Sequence, residues 1–404
     1  MPKKPNSWGN MQEYVPAGNG DASGEYADEQ GGNIHYKFEP ENFGRGKGQV
    51  KEEPKKEEEG HISVSKGDGG QSHFQDYLKN EFKPKKGITA EGLERQFNTG
   101  TDDAKSVINA LIKDGYKINA TTNDDSFLGS TVSLSPASIR ENPITRNEGE
   151  IFYHEFSHGI DEWLAKDVSE QEQDEASESF LSKRSKYPSP DSIWCRSYAT
   201  ATKKLSNGKT LYQTLVDEAK GKTTQDWQGI SADFDADVNN KVKEKFGMSK
   251  SEMRKRREEL NKEFEKKALD DGKGYWSNEY WRAIEKYREE NKEYNEINNK
   301  LREANFVEME VGKNWLGISD TCQGSGHASF HGGHSSAYWK TGTARGTKLH
   351  RGGEFIAEYC SALCRKDTNG KRELELFNKY FPETSKCAEE LFAIAVNKSK
   401  GVKA

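Results

Sequence analysis

Two histidines and a glutamate stand at a spacing suited to metal chemistry in the stretch Ile151-Phe-Tyr-His-Glu-Phe-Ser-His-Gly-Ile-Asp161. At 100° per residue on a helix, His154, His158 and Asp161 share one narrow arc with Glu155 beside it, while Phe152, Phe156, Ile160 and Trp163 occupy the opposite side. Histidines at i and i+4 project one turn apart, so two imidazole nitrogens can meet one tetrahedral zinc ion. The glutamate after the first histidine then reaches the attacking water as general base. A surface helix with two solvated histidines shows the same five-residue pattern, but it does not need an apolar stripe on its other side. Pro143 and the spacing Thr145-x-x-Glu148 predict a capping box that opens the helix.

Catalytic zinc sites take three protein ligands and keep one position open. The longer pattern HExxHxxGxxH requires Gly and His where Asp161 and Leu164 stand, which leaves Asp161 itself or a downstream glutamate as the third ligand. Glu354-Phe-Ile-Ala-Glu358-Tyr-Cys-Ser-Ala-Leu-Cys364 reads as a second two-faced helix, with Glu354, Glu358 and Ser361 on one side and Ile356, Tyr359 and Leu363 on another. Gly352 and Gly353 precede it and permit a tight entry. An ordinary amphipathic helix with a mildly repulsive i,i+4 glutamate pair has the same spacing.

HEFSHGID followed far downstream by EFIAE resembles the anthrax-lethal-factor-like zinc metallopeptidases, with their HEFGHxxD helix and later EFFAE segment. The resemblance implies His154, His158 and Glu354 as zinc ligands, Glu155 as general base and Glu358 as a carboxylate that orients a ligand. The family's transition-state tyrosine lies shortly before EFFAE in a Ser-Tyr context; here that context is Ser335-Ser-Ala-Tyr338-Trp, further upstream, which makes Tyr338 the candidate and His334 a weaker one. HEFSHGID, Leu316-Gly-Ile-Ser-Asp320, Gly333-His-Ser-Ser-Ala-Tyr-Trp339, EFIAEYCSA and Leu376-Phe-Asn-Lys-Tyr-Phe-Pro382 together resemble the metallopeptidase-like region of phage Mu F-type minor head proteins. Asn10-Met-Gln-Glu-Tyr14 and Gly24-Glu-Tyr26 resemble an N-terminal segment of that family. This second resemblance implies a phage or prophage setting, with phage head proteins as partners.

These residues must be positioned by a chain of 404 residues that is 32% hydrophobic and 32% charged, with a mean hydropathy of −1.04. Such a composition is too polar for compact core throughout. No apolar run approaches the ~18 residues of a membrane span, and the start Met1-Pro-Lys-Lys-Pro5 does not read as a secretion signal. Five scattered cysteines, Cys195, Cys322, Cys360, Cys364 and Cys387, argue for buried thiols in a reducing compartment. A net charge of −6 with interspersed signs predicts no broad nucleic-acid footprint, and Arg254-Lys-Arg-Arg257 reads as part of a solvated face.

Residues 1–87, with Lys51-Glu-Glu-Pro-Lys-Lys-Glu-Glu-Glu59 at their centre, carry too little apolar surface to offset ordering entropy and read as a disordered tail. Asp102 to Lys113 reads as an amphipathic helix ended by Asp114-Gly115, and Tyr116 to Ile118 and Thr131 to Leu134 as short strands. A small sheet there would suit strand addition by an extended substrate. Residues 169–187 read as an acidic loop or frayed helix, and Met253 to Leu301 as a helical hairpin turning at Asp270-Asp-Gly-Lys-Gly274. Asn314 to Lys340, with His327, His331 and His334, reads as a flexible active-site loop rather than a second metal site. Leu374 to Ile394 reads as two helices parted by Pro382 that pack behind the Glu354 helix.

The expectation is therefore an α+β, zincin-like metallopeptidase domain, mainly helical with a small sheet, formed by residues 88–168 and 311–397 and interrupted by a helical insertion at 169–310. Its expected function is zinc-dependent endopeptidase action on a protein substrate, without nucleic-acid or membrane partners, in a bacterial host cytoplasm or on a virion. Asp161 and Glu358 are expected to support the zinc ligands from behind. Two alternatives share the metal site: a non-enzymatic, zinc-stabilised minor head protein, and a peptidase acting as a toxin.

Overall fold

The computed structural model describes residues 15–16, 24–27, 33–35, 72–85, 87–121, 125–139, 147–180, 190–327, 329–334, 338–339 and 348–402. Within the expected tail, β1 (Val15–Pro16), β2 (Gly24–Ala27) and β3 (Asn33–His35) pair as an antiparallel meander. The tail also ends earlier than the composition suggests. Helix α1 (His73–Asn80) buries Phe74, Tyr77 and Leu78, and the Tyr77 hydroxyl donates to the Ile118 carbonyl at 3.2 Å and accepts from the Ile118 N–H at 2.8 Å. Three apolar side chains on one short face dock it, although the polar sequence before it hides them from a composition average.

Threonine hydroxyls start the next helices: Thr89 accepts from the Gly92 N–H to open α2 (Ala90–Asn98), and Thr101 from the Ala104 N–H to open α3 (Asp102–Lys113). A three-stranded sheet follows, formed by β4 (Lys117–Ala120), β5 (Ser126–Leu128) and β6 (Thr131–Leu134) in the order β4-β6-β5, with β4 parallel and β5 antiparallel to β6. Gly129 and Ser130 join β5 to β6 with both φ angles positive, 54° and 61°. That is the geometry of a two-residue type I′ hairpin turn, whose twist matches the flanking strands. The sequence reading found β4 and β6 but missed β5, which is only three residues long.

After α4 (Pro136–Ile139) comes α5 (Glu150–Ala165), the helix of the histidine motif. It starts at Glu150 with Gly149 as its N-cap, not at the expected Thr145 box; Thr145 lies outside the described residues. The start is held by buried polar contacts instead. The Asn147 N–H donates to Glu150, its side-chain amide donates to Glu373, and Glu373 pairs with the fully buried Arg365 guanidinium at 2.5 Å. Buried charges persist only when paired in this way.

The span 169–310 is helical throughout its described residues apart from short connections: α6 (Glu170–Ser179), α7 (Pro190–Trp194), α8 (Ala199–Thr202), α9 (Leu211–Gly221), α10 (Thr224–Phe246), α11 (Lys250–Asp270), α12 (Asn278–Glu290) and α13 (Lys292–Gly312). Capping boxes open α6, α9, α10 and α11. The stretch from residue 169, expected as a loop or frayed helix, thus begins as a capped helix, and residues 181–187 lie outside the described residues. The expected hairpin is a three-helix arrangement, because Asn291 ends α12 and caps α13 with its own side chain. Arg256 forms a two-pronged contact with Glu293 across α11 and α13. The apolar faces of α10 to α13 belong to the same hydrophobic core as those of α5.

The chain then enters α14 (Leu316–Gly324) directly, so the first part of the expected active-site loop is a buried helix. The last helices are α15 (His350–Cys364), α16 (Thr368–Tyr380) and α17 (Pro382–Ser399). Gly352 and Gly353 lie inside α15 rather than before it. Phe377 and Phe381 pack edge-on against Phe355 at 5.2 and 5.9 Å between ring centres, which places α16 and α17 behind α15. The fold is α+β, mainly helical with a small sheet. Among the described residues no helix is long and apolar enough to cross a membrane.

Candidate metal centre

Helices α5 and α15 pack against each other, and the buried Ser361 hydroxyl donates to the Glu150 carbonyl at 2.7 Å to fix their stagger. Phe152, Phe156, Ile160 and Trp163 anchor the back of α5, each at most 3% exposed. The polar arc of α5 is thereby turned towards α15. His154 Nε2 and His158 Nε2 lie 3.3 Å apart, and Glu354 Oε2 lies 3.4 Å from the first and 3.7 Å from the second. Ligands about 2.0–2.2 Å from a tetrahedral zinc ion stand about 3.3–3.6 Å from one another, so these three atoms form one face of such a polyhedron. Glu354 Oε2 is buried with no hydrogen-bond partner, a costly state for a carboxylate unless a cation meets it. Among the described residues His154, His158 and Glu354 are one of two groups whose ligand atoms could hold a metal ion; the other is Asp320, His334 and Glu354.

Charge in the site follows from this crowding. Burial alone would lower the His154 pKa, but Glu358 and Glu354 override it and hold the imidazole well above its ordinary value. Burial dominates at His158 and brings it down to about 4. Burial would raise Glu354, yet His334, His158 and His154 keep it well below the usual carboxylate range. Glu155 is 6% exposed with Oε2 unpartnered, and burial pushes its carboxyl up to about 8.

Glu358 stands one turn beyond Glu354, its Oε1 3.4 Å from His154 Nδ1. The carboxylate thus faces the ring nitrogen turned away from the ligand triangle, although His154 Nδ1 makes no hydrogen bond with it. Asp161 is placed differently. Its two oxygens accept from the Thr200 N–H at 2.7 Å and the Thr200 hydroxyl at 2.8 Å, so it ties α8 to α5 rather than orienting a histidine. Burial pushes it up to about 7, against the lowering effect of the Thr200 bonds.

Tyr338 reaches the site although it lies 16 residues before Glu354. Its hydroxyl donates to Glu354 Oε1, and its ring is stacked between His334 at 4.0 Å and His350 at 4.9 Å. The next residue, Trp339, donates to Gln323 Oε1 at 3.0 Å and lies on Gly324, where a Cβ would come within 3.0 Å of the indole. Gly324 is thus a place of close approach that holds the loop to α14. His334 faces Asp320 of α14, which accepts from its backbone N–H at 2.7 Å and lies 2.9 Å from its Nδ1. Its Nε2 is 3.8 Å from Glu354 Oε2. Burial lowers His334, but Asp320 and Glu354 raise it to about 9.

The structure brings His154, Glu155, His158, Glu354, Glu358, Tyr338 and His334 together and leaves Asp161 turned aside. His327 and His331 go elsewhere: the first stacks on Trp227 at 4.0 Å and the second packs beside Phe234 at 5.3 Å. The sequence reading missed Asp320 and His350 as neighbours of the site. A signal for Asp320 existed in the apolar spacing Leu316, Ile318, Cys322, which marks a buried element carrying one carboxylate. Phe127 of β5 stacks near His158 at 6.5 Å, so the outer strand of the small sheet borders the site. No family model, curated protein or solved structure matches this chain.

Proposed function

We propose that the chain is a zinc-dependent endopeptidase with a zincin-like arrangement of α5, α15 and the small sheet. The observation that carries the proposal is the triangle of His154 Nε2, His158 Nε2 and the unpartnered Glu354 Oε2, with the buried carboxyl of Glu155 on the same helix. Two imidazoles and one carboxylate are a donor set that suits zinc, and the three residues would hold it. When bound, zinc would supply Lewis-acid polarisation of the substrate carbonyl and acidify the attacking water.

The chain's own groups do the rest. Glu155 takes the proton of the attacking water and delivers it to the leaving amine. The Tyr338 hydroxyl turns from Glu354 towards the carbonyl oxygen as that oxygen gains charge. His334, kept cationic by Asp320, is a second donor on the same side. Glu358 keeps the ring of His154 in register. Among the described residues strand β5 is hydrogen-bonded only to β6 in its sheet, and its other edge would take an extended peptide.

The deciding experiment measures zinc content and cleavage of a peptide library by the wild type and by Glu155→Gln. One bound zinc in both proteins, with cleavage only by the wild type, supports the peptidase reading. Zinc in both without cleavage by either favours the virion-structural alternative; no zinc in either overturns both. The library sequences cleaved also bear on whether the target is a phage head protein or a host protein.

A further inference from the structure

At the start of α15, where Arg351 stands three residues before Glu354, opens a cleft of about 320 Å³ whose lining includes Lys220, Lys222, Trp227, Ser325, His327 and Arg351, and no carboxylate. It is at the small end of the range for ligand sites, roughly 300–1,000 Å³. Two of its walls continue the helices of the centre. Arg351 is on α15 one turn before Glu354, and Ser325 caps α14, which carries Asp320.

The cations in this cleft have no carboxylate partners among the described residues. Among the described residues Lys220, Lys222 and Arg351 take part in no ion pair, while the acids nearest them in sequence are engaged elsewhere. Asp217 pairs with Lys209 at 2.9 Å, Glu218 accepts from the Thr384 N–H at 2.9 Å and from its hydroxyl, and Asp226 caps α10 through Thr223 at 2.7 Å. Lys222 lies with its ammonium 5.0 Å from the Phe381 ring centre and 5.9 Å from that of Trp227, so its position is set by packing. The start of α10 opens into the same cleft at Thr224 and adds a favourable field for a negative group.

We propose that this cleft is a specificity subsite for an acidic side chain, glutamate or aspartate, of the peptide substrate. The proposal rests on the peptidase reading above. Arg351 supplies a planar fork for the carboxylate, Lys222 and Lys220 supply charge, and Trp227 with Leu215 forms a wall for the methylene groups. An extended chain advances ~3.3 Å per residue, and Arg351 stands ~4.5 Å along the helix axis from Glu354.

The test scans a peptide library with Glu, Gln or Lys at each position, using the full chain loaded with zinc. In parallel, Glu155→Gln protein is titrated with fluorescent peptides that differ only by Glu or Gln at one position, read by anisotropy. The wild type is expected to prefer Glu over Gln by about tenfold at one position. Lys222→Met, which keeps the aliphatic stem over Phe381, should lose most of that preference, and Lys222→Glu should shift it towards Lys. Equal cleavage of Glu and Gln peptides overturns the subsite while leaving the peptidase reading intact. If no library is cleaved, the anisotropy series decides the subsite alone: tighter Glu binding that Lys222→Met abolishes supports it, and equal binding rejects it. Millimolar inorganic phosphate displacing Glu and Gln peptides alike would mark a free-anion site and also reject it.

Discussion

The two sides of the metal centre are built in different ways. On one side, α5 and α15 present His154, Glu155, His158, Glu354 and Glu358 from the middle of buried helices, each backed by apolar residues. On the other, His334 and Tyr338 come from a connection between α14 and α15 and are held by Asp320, by ring stacking and by Trp339 on Gly324. Ligands on helices inherit the stiffness of the backbone ladder; donors on a loop depend on a few side-chain contacts. On the proposed function, the first side would bind the ion and the second would follow charge as it develops in the substrate.

That division predicts a graded series. The largest effect is expected from Glu354→Ala or His158→Ala, which should abolish stoichiometric zinc, as metal analysis after dialysis would show. Glu155→Gln comes next: zinc retained, with turnover down by about 10²–10⁴-fold. Tyr338→Phe should lower kcat about 10²-fold with zinc content unchanged; a loss of zinc instead would mean that the loop helps to hold the ion and would erase the contrast. Glu358→Gln should weaken zinc affinity about 10–100-fold in a chelator competition while leaving the fold intact by circular dichroism.

The smallest effect is a protonic one. The His154 pKa is held above its ordinary value in the metal-free protein, so at neutral pH this ring carries a proton that zinc must expel, while His158, down at about 4, carries none. Zinc binding to Glu155→Gln, which removes the nearest carboxyl raised towards neutrality, should release about one proton at pH 7. Affinity should then fall about tenfold for each pH unit below neutrality. Calorimetry in buffers of different ionisation enthalpy reads this directly, and zero release would show that Glu358 and Glu354 do not hold His154 charged.

Much of the helical side was legible in the residues. The period of Phe152, Phe156, Ile160 and Trp163 sets which face of α5 is buried, and the histidine spacing follows from the same period. The Glu354 helix could be read as two-faced, yet nothing local separated a ligand pair from a solvated glutamate pair. That distinction needs the neighbouring helix, since what marks Glu354 as a candidate ligand is that two imidazoles stand 3.4 and 3.7 Å away and its oxygen has no hydrogen-bond partner. Helix α1 and strand β5 escaped because each is short and set among polar residues, and only docking on the core makes them worth ordering.

The sequence alone, through periodicity, determined that α5 sets an apolar face against a polar one, and that His154, Glu155 and His158 must appear together. Local backbone geometry suffices for that. Which distant residues complete the site was decided by tertiary structure: Glu354 across a helix pair, Asp320 and His334 across a loop, Tyr338 between two imidazole rings, and Asp161 drawn away by Thr200. Contacts between residues far apart in the chain depend on how whole elements pack, and no residue spacing carries that information.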